Sequence, residues 1–198
     1  MATFLEGVES ILLACSLVVL GPTLLLVLVA RTGRVLLLSG AVVGTSTMMW
    51  ARAGLLWDFE SDGLARWVIA GAIIAAFGGA FRADRVGPSL RLALGLAAGL
   101  VAGWLWQPCV GEHFAEVLNR AETDRVESLL KMHVYVIGIF LPAVLIVALP
   151  HAAPGTSRVL HHDVTRRAAL AVAALYAGAV ALGWYDDLVG ELFRISST

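Results

Sequence analysis

Six apolar stretches, each close to the length of a membrane crossing, recur along this chain and constrain its fold more than any other feature. They run from Ser10 to Ala30, Val35 to Trp50, Ala65 to Phe81, Leu90 to Trp106, Met132 to Leu149 and Arg167 to Trp184. A hydrocarbon core of roughly 30 Å takes about 20 residues of helix to cross, and lipid offers the backbone amides no partner outside the helix itself. The second and third stretches are short, but Trp50, Trp57 and Trp67 flank them, and Trp favours the membrane interface. With 59% hydrophobic and 15% charged residues, the 198-residue chain has too little polar surface to face water. It reads as an all-α integral membrane protein, a single six-helix domain over residues 1–198.

The segments between the stretches differ in charge. Arg31 and Arg34 follow the first, Arg82, Arg85 and Arg91 surround the turn after the third, and Arg158, Arg166 and Arg167 follow the fifth, opposed only by Asp84 and Asp163. The other connections are acidic, with Asp58, Glu60, Asp62, Glu112, Glu116, Glu122 and Asp124. Cations concentrate in the loops that stay inside, which predicts a multi-pass protein of the cell membrane with both termini extracytoplasmic. Three crossings in residues 1–85 and three in 86–198 make two repeats that must be inserted with opposite orientation, the inverted-repeat plan of many carriers.

Several classes are disfavoured. A net charge of -1 without a basic stripe predicts no nucleic-acid partner. Leu12-Leu13-Ala14-Cys15 looks like a lipoprotein cleavage box, but no basic residue precedes it and the apolar run continues past it, so Met1 onward is expected to be retained. The span centres lack Asp, Glu, Lys and Arg, which disfavours ion-coupled transport. The five histidines show no ligand spacing inside a span; His161-His162 beside Asp163 reads as a solvated loop, and no metal or cofactor is expected. Gly95, Gly99 and Gly103 fall every four residues on one face, where a neighbouring backbone can come close.

The chemistry rests on two cysteines. Cys15 lies in the first stretch, and Cys109 sits in the run Trp104-Leu105-Trp106-Gln107-Pro108-Cys109-Val110-Gly111 at the end of the fourth. Two thiols are too few for a disulfide scaffold. At 1.5 Å per residue Cys15 lies roughly 9 Å inward of Glu9 and Cys109 roughly 27 Å from Arg91, so both belong to the outer half of the bilayer. Thiol exchange needs a thiolate, and a helix interrupted by Pro, with freed backbone groups and local water, is one way to stabilise it there. Pro108 supplies such an interruption beside Cys109; Pro22, seven residues after Cys15, does so less directly. The competing reading is two ordinary buried cysteines, small apolar residues of the interior.

The run Gly103 to Gly111, followed about 25 residues later by Tyr135-Val136-Ile137-Gly138-Ile139-Phe140-Leu141-Pro142, resembles the fourth and fifth spans of the CcdA/DsbD transmembrane thiol-disulfide transporters, the membrane region of cytochrome c biogenesis proteins. Leu36 to Leu56 and Arg66-Trp67-Val68-Ile69-Ala70-Gly71 resemble the same family. Ala14, Val18 and Glu112 stand where that family commonly carries Pro. The resemblance implies a thiol-disulfide oxidoreductase with Cys15 and Cys109 as its redox pair and Pro22, Pro108, Gly111 and Pro142 supporting the helix breaks. It implies a cytoplasmic thioredoxin as donor and an extracytoplasmic thioredoxin-like protein as acceptor, with membrane lipid around the spans. A non-catalytic assembly subunit of a larger membrane complex and a small-molecule permease on the same plan are the alternatives. The connection Val110 to Lys131, with Phe114, Val117 and Leu118 at helical spacing, reads as an amphipathic helix in the interface that would dock an outer partner.

Overall fold

The computed structural model describes residues 2–12, 14–55, 63–82, 85, 87–106, 124–152, 163–185, 187, 190–191 and 194. Among them the regular elements are all helical: α1 (Ala2–Glu9), a 3-10 turn (Ser10–Leu12), α2 (Ala14–Val29), α3 (Arg34–Leu55), α4 (Gly63–Phe81), α5 (Pro88–Leu105), α6 (Arg125–Ile139), α7 (Leu141–Ala152) and α8 (Asp163–Leu182). Helices α3, α4, α5 and α8 are long and apolar enough to cross a membrane, and the bent pair α6–α7 makes a fifth candidate. The apolar part of α2, Val19–Val29, is shorter than a crossing.

The element ends follow local chemistry. Pro88 opens α5, where its missing N–H costs nothing and its fixed φ suits a first turn. Asp124 caps α6 by accepting from the Glu127 backbone N–H at 3.0 Å. Helix α6 therefore begins at Arg125, and 125–131, expected within the preceding connection, belong to it. At Ser10–Leu12, where the first stretch begins, a 3-10 turn separates α1 from α2; the Ser10 hydroxyl donates to the Glu6 carbonyl at 2.7 Å, a local bond that competes with regular helix.

The fifth stretch is bent by 56° between α6 and α7. Phe140 leaves helical geometry with φ -84° and ψ 6°, and Pro142 follows as the second residue of α7. Proline has no N–H for the preceding turn and its ring crowds the carbonyl there, so the axis turns at this point.

Helix α2 is shared by two cores. With α4, α5 and α8 it packs Leu26 and Val29 against Ile73, Phe77, Ala173 and Val180. With α3, α6 and α7 it packs Val19, Leu20 and Val27 against Met49, Met132, Val136 and Phe140.

Helices α3 and α5 run parallel in the closest contact of the molecule. A Cβ on Gly40 or Gly44 would strike the carbonyls of Leu92 or Leu96, and one on Gly95 or Gly99 those of Leu37 or Ala41. The Thr45 hydroxyl donates to the Gly99 carbonyl at 3.1 Å. The glycine face expected on span four is used here. Gly7 of α1 and Gly138 of α6 make a second such approach, a Cβ on Gly7 lying 3.1 Å from the Gly138 Cα.

Helices α4 and α8 run antiparallel and bury matching positions 100 residues apart: Ile69 and Ala169, Ile73 and Ala173, Phe77 and Ala177, Ala80 and Val180. Arginines repeat in the same register. Arg166, in the first turn of α8, donates to the last carbonyl of α4, Phe81, at 2.8 Å and to that of α2, Val29, at 2.9 Å, with its guanidinium 4.6 Å from the Phe81 ring centroid. Arg66, in the first turn of α4, lies against Gly183, just beyond α8, which takes φ +79°.

Candidate functional site

The predicted site residues fall into two groups. Cys15 is the second residue of α2, Pro22 lies in the interior of the same helix, and Pro142 stands just after the bend of the fifth stretch. Pro108, Cys109 and Gly111, with most of the proposed docking helix, lie outside the described residues. Helix α2 finishes at the end where α5 begins, because Arg91, in the first turn of α5, lies against Gly33 in the turn that follows α2. The first turn of α2, with Cys15, is therefore at the end where α5 finishes.

Pro22 leaves the carbonyl one turn earlier without its usual amide donor. Beside it, the Thr23 hydroxyl donates to the Val19 carbonyl at 3.0 Å. Pro22, Thr23, Leu105 and Tyr176 border a cavity of about 10 Å³ between α2, α4, α5 and α8, roughly the room one water needs. The hydroxyls of Ser16, adjacent to Cys15, and of Tyr176 are buried without a hydrogen-bond partner.

The end of α5, next to the Pro-Cys run, is built more elaborately than the sequence suggests. The last four carbonyls of a helix have no intrahelical donor, and Pro108 could not have supplied one to Trp104. Arg52, from α3, donates through one terminal nitrogen to the Trp104 carbonyl and, at 2.5 Å, to that of Trp106. The Tyr185 hydroxyl, from the segment after α8, donates to the intervening Leu105 carbonyl at 2.6 Å. Three successive carbonyls are thus held by side chains from two other parts of the chain, and Trp106 turns the backbone to an extended conformation with φ -65° and ψ 126°. A guanidinium here complements the negative end of the α5 dipole. The Trp106 carbonyl that it holds belongs to the residue three positions before Cys109 in the sequence.

The sequence shows Arg52 only as a cation just past the second stretch, and nothing in it singles out Tyr185. The one available signal was Pro108, which announces an orphan carbonyl at Trp104 but not the residue that satisfies it.

A lateral groove of about 550 Å³ runs between α3 and the bent α6–α7 pair, lined by hydrocarbon apart from Ser39 and His133. The His133 ring is held through Nδ1, 2.8 Å from the Leu129 carbonyl. Among the described residues no three of His, Cys, Asp and Glu gather as a metal site would require. Compared with protein-family models, curated proteins and solved structures, the chain matches none.

Proposed function

We propose that this protein is a six-span thiol-disulfide relay, built as two inverted three-helix repeats, that passes reducing equivalents from a cytoplasmic thioredoxin to an extracytoplasmic thioredoxin-like protein through Cys15 and Cys109. The observation that carries the reading is the end of α5, where Arg52 and Tyr185 hold the carbonyls just ahead of Pro108-Cys109. Pinning the end of α5 would hold the segment that follows it in one place, and a cation beside that segment would favour the ionised form of its thiol.

The inverted repeat has its own support. Exchanging spans one, two and three with four, five and six returns most of the helix pairings: α3 with α5 becomes α1–α2 with α6–α7, and α2 with α8 becomes α5 with α4. The pairings of α2 with α3 and α4 are the exceptions. The 100-residue register between α4 and α8, including Arg66 and Arg166, supports the same relation.

The relay chemistry balances. The Cys109 thiolate attacks one sulfur of the acceptor's disulfide, and the acceptor's other sulfur leaves as a thiolate. The Cys15 thiolate then attacks the Cys109 sulfur, releasing the second acceptor thiolate and leaving a Cys15–Cys109 disulfide. The two protons lost by the relay go to the acceptor. A thioredoxin dithiol inside restores both thiols by the same two exchanges.

The test is trapping. Cys15→Ser removes the resolving thiol, so a mixed disulfide between Cys109 and a thioredoxin-like protein should accumulate as a reductant-sensitive band. In the unmodified protein, mass-tag alkylation should count no free thiol under oxidising conditions and two after reduction. Two free thiols under oxidising conditions, with no trapped partner, would remove the relay and leave the assembly-subunit reading.

A further inference from the structure

From the end of the molecule opposite the last turn of α5, we infer a binding site for the phosphate headgroup of an anionic phospholipid. Arg34 and Arg166 are both buried there, with their Nε atoms each 2.9 Å from successive carbonyls at the end of α2, Ala30 and Val29. Two guanidinium groups are thereby fixed side by side. Arg91, from α5, completes the group by lying against Gly33 in the turn after α2, where φ is +68°.

Charge at this end is unbalanced. Exposed Arg31, Arg82 and Arg167 adjoin the three. The segments that carry them contain only Asp84 and Asp163 as acids. The Asp163 carboxylate is 3.5 Å from Arg166 and its side chain is 71% exposed, so its field is largely screened by solvent. Arginine presents a planar fork that matches phosphate oxygens in pairs. The N-termini of α3, α5 and α8 lie at the same end and add the positive ends of three helix dipoles.

Apolar surface at the same level selects a lipid over a soluble phosphate. Val35, Leu90 and Val164, in the first turns of α3, α5 and α8, are exposed. A ligand with a phosphate at the helix ends and acyl chains along those side chains satisfies both features. Basic clusters between helices at the inner membrane surface commonly recognise such headgroups. The inference does not depend on the thiols.

The full chain, purified in a neutral detergent, would be heated with added phosphatidylglycerol, phosphatidylcholine or inorganic phosphate at equal concentration, and the lipid retained would be measured by native mass spectrometry. Phosphatidylglycerol should raise the unfolding midpoint by about 5 °C and stay bound, while the other two leave it within about 1 °C. The combined Arg31→Gln and Arg82→Gln variant alters only exposed side chains and should lose most of the retained lipid; Arg91→Gln, which removes the guanidinium beside Gly33, should lose it as well. Equal retention of phosphatidylcholine, an equal shift with inorganic phosphate, or full retention by the exposed-arginine variant would each overturn the proposal.

Discussion

Helices α3 and α5 meet backbone against backbone, whereas α4 and α8 meet through side chains and are fastened at their ends. In the first pair the closeness comes from what is missing: Gly40, Gly44, Gly95 and Gly99 let carbonyls of the facing helix sit where side chains would be. In the second pair Ile73, Phe77 and Val180 fill the seam, and arginine closes it, with Arg166 on the carbonyls of Val29 and Phe81. Lipid gives little hydrophobic drive for helices to associate, so contact must come from close packing or from hydrogen bonds. The two pairs divide these means between them. A backbone seam cannot accept added atoms, while an end-fastened seam can lose a fastening and still keep its packing.

The largest effect should come from filling the backbone seam. Gly99→Leu places a branched side chain where the Ala41 carbonyl stands, and forcing α3 and α5 apart should cost about 3 kcal/mol, with the loss of the Thr45 bond to the Gly99 carbonyl added. Gly71→Leu, where a Cβ meets nothing, should change stability by no more than about 0.5 kcal/mol. Unfolding by a denaturing detergent, followed by circular dichroism, measures both. Similar values for the two would mean that the close approach does not hold the pair together.

Removing the fastening should cost less. Arg166→Gln keeps a polar group but shortens it, leaving the Val29 and Phe81 carbonyls without their donor and losing the guanidinium over Phe81. Hydrogen bonds from a charged donor contribute about 1.5 to 3 kcal/mol, and a replacement that retrieves part of them should lower stability by about 2 kcal/mol. A loss equal to that of Gly99→Leu would place Arg166 on a par with the glycine seam and erase the distinction between the two pairs.

These features were unequally visible in the sequence. The extents of α3, α4, α5 and α8 were legible because hydropathy over some 20 residues outweighs local detail, and the glycine face of α5 because a four-residue period has few other uses in a helix. The break at Ser10–Leu12 was not, since a hydroxyl turning back on its own helix leaves no mark in an apolar run. Pro142 announced a helix break, and the chain bends there, but not by how much. Arg52 and Arg166 could be read as loop charges and Arg66 as a charge at the edge of the third stretch, and no further: the carbonyls that Arg52 and Arg166 meet lie on other helices, 50 residues and more away. The redox assignment rests on the Pro-Cys run, of which the described part is the α5 end that Arg52 and Tyr185 hold.

The smallest effects should separate two tyrosines that touch. Tyr176 and Tyr185 stack edge to face, with ring centroids 6.0 Å apart and planes at 88°, so each loses only an oxygen when changed to Phe. The Tyr185 hydroxyl donates to the Leu105 carbonyl at 2.6 Å, and Tyr185→Phe leaves that buried helix end unsatisfied, a loss of about 1 kcal/mol. The Tyr176 hydroxyl is buried with no hydrogen bond of ordinary geometry, the Tyr185 side chain being its polar neighbour, and a group so weakly met already carries most of its desolvation cost. Tyr176→Phe should therefore leave stability unchanged or raise it by about 0.5 to 1 kcal/mol. The two variants, compared in one detergent at one temperature, should differ in sign. If Tyr176→Phe is instead as damaging as Tyr185→Phe, the adjacent cavity of about 10 Å³ holds a water that bonds the hydroxyl, and the centre of the α2, α4, α5 and α8 bundle is a wet site.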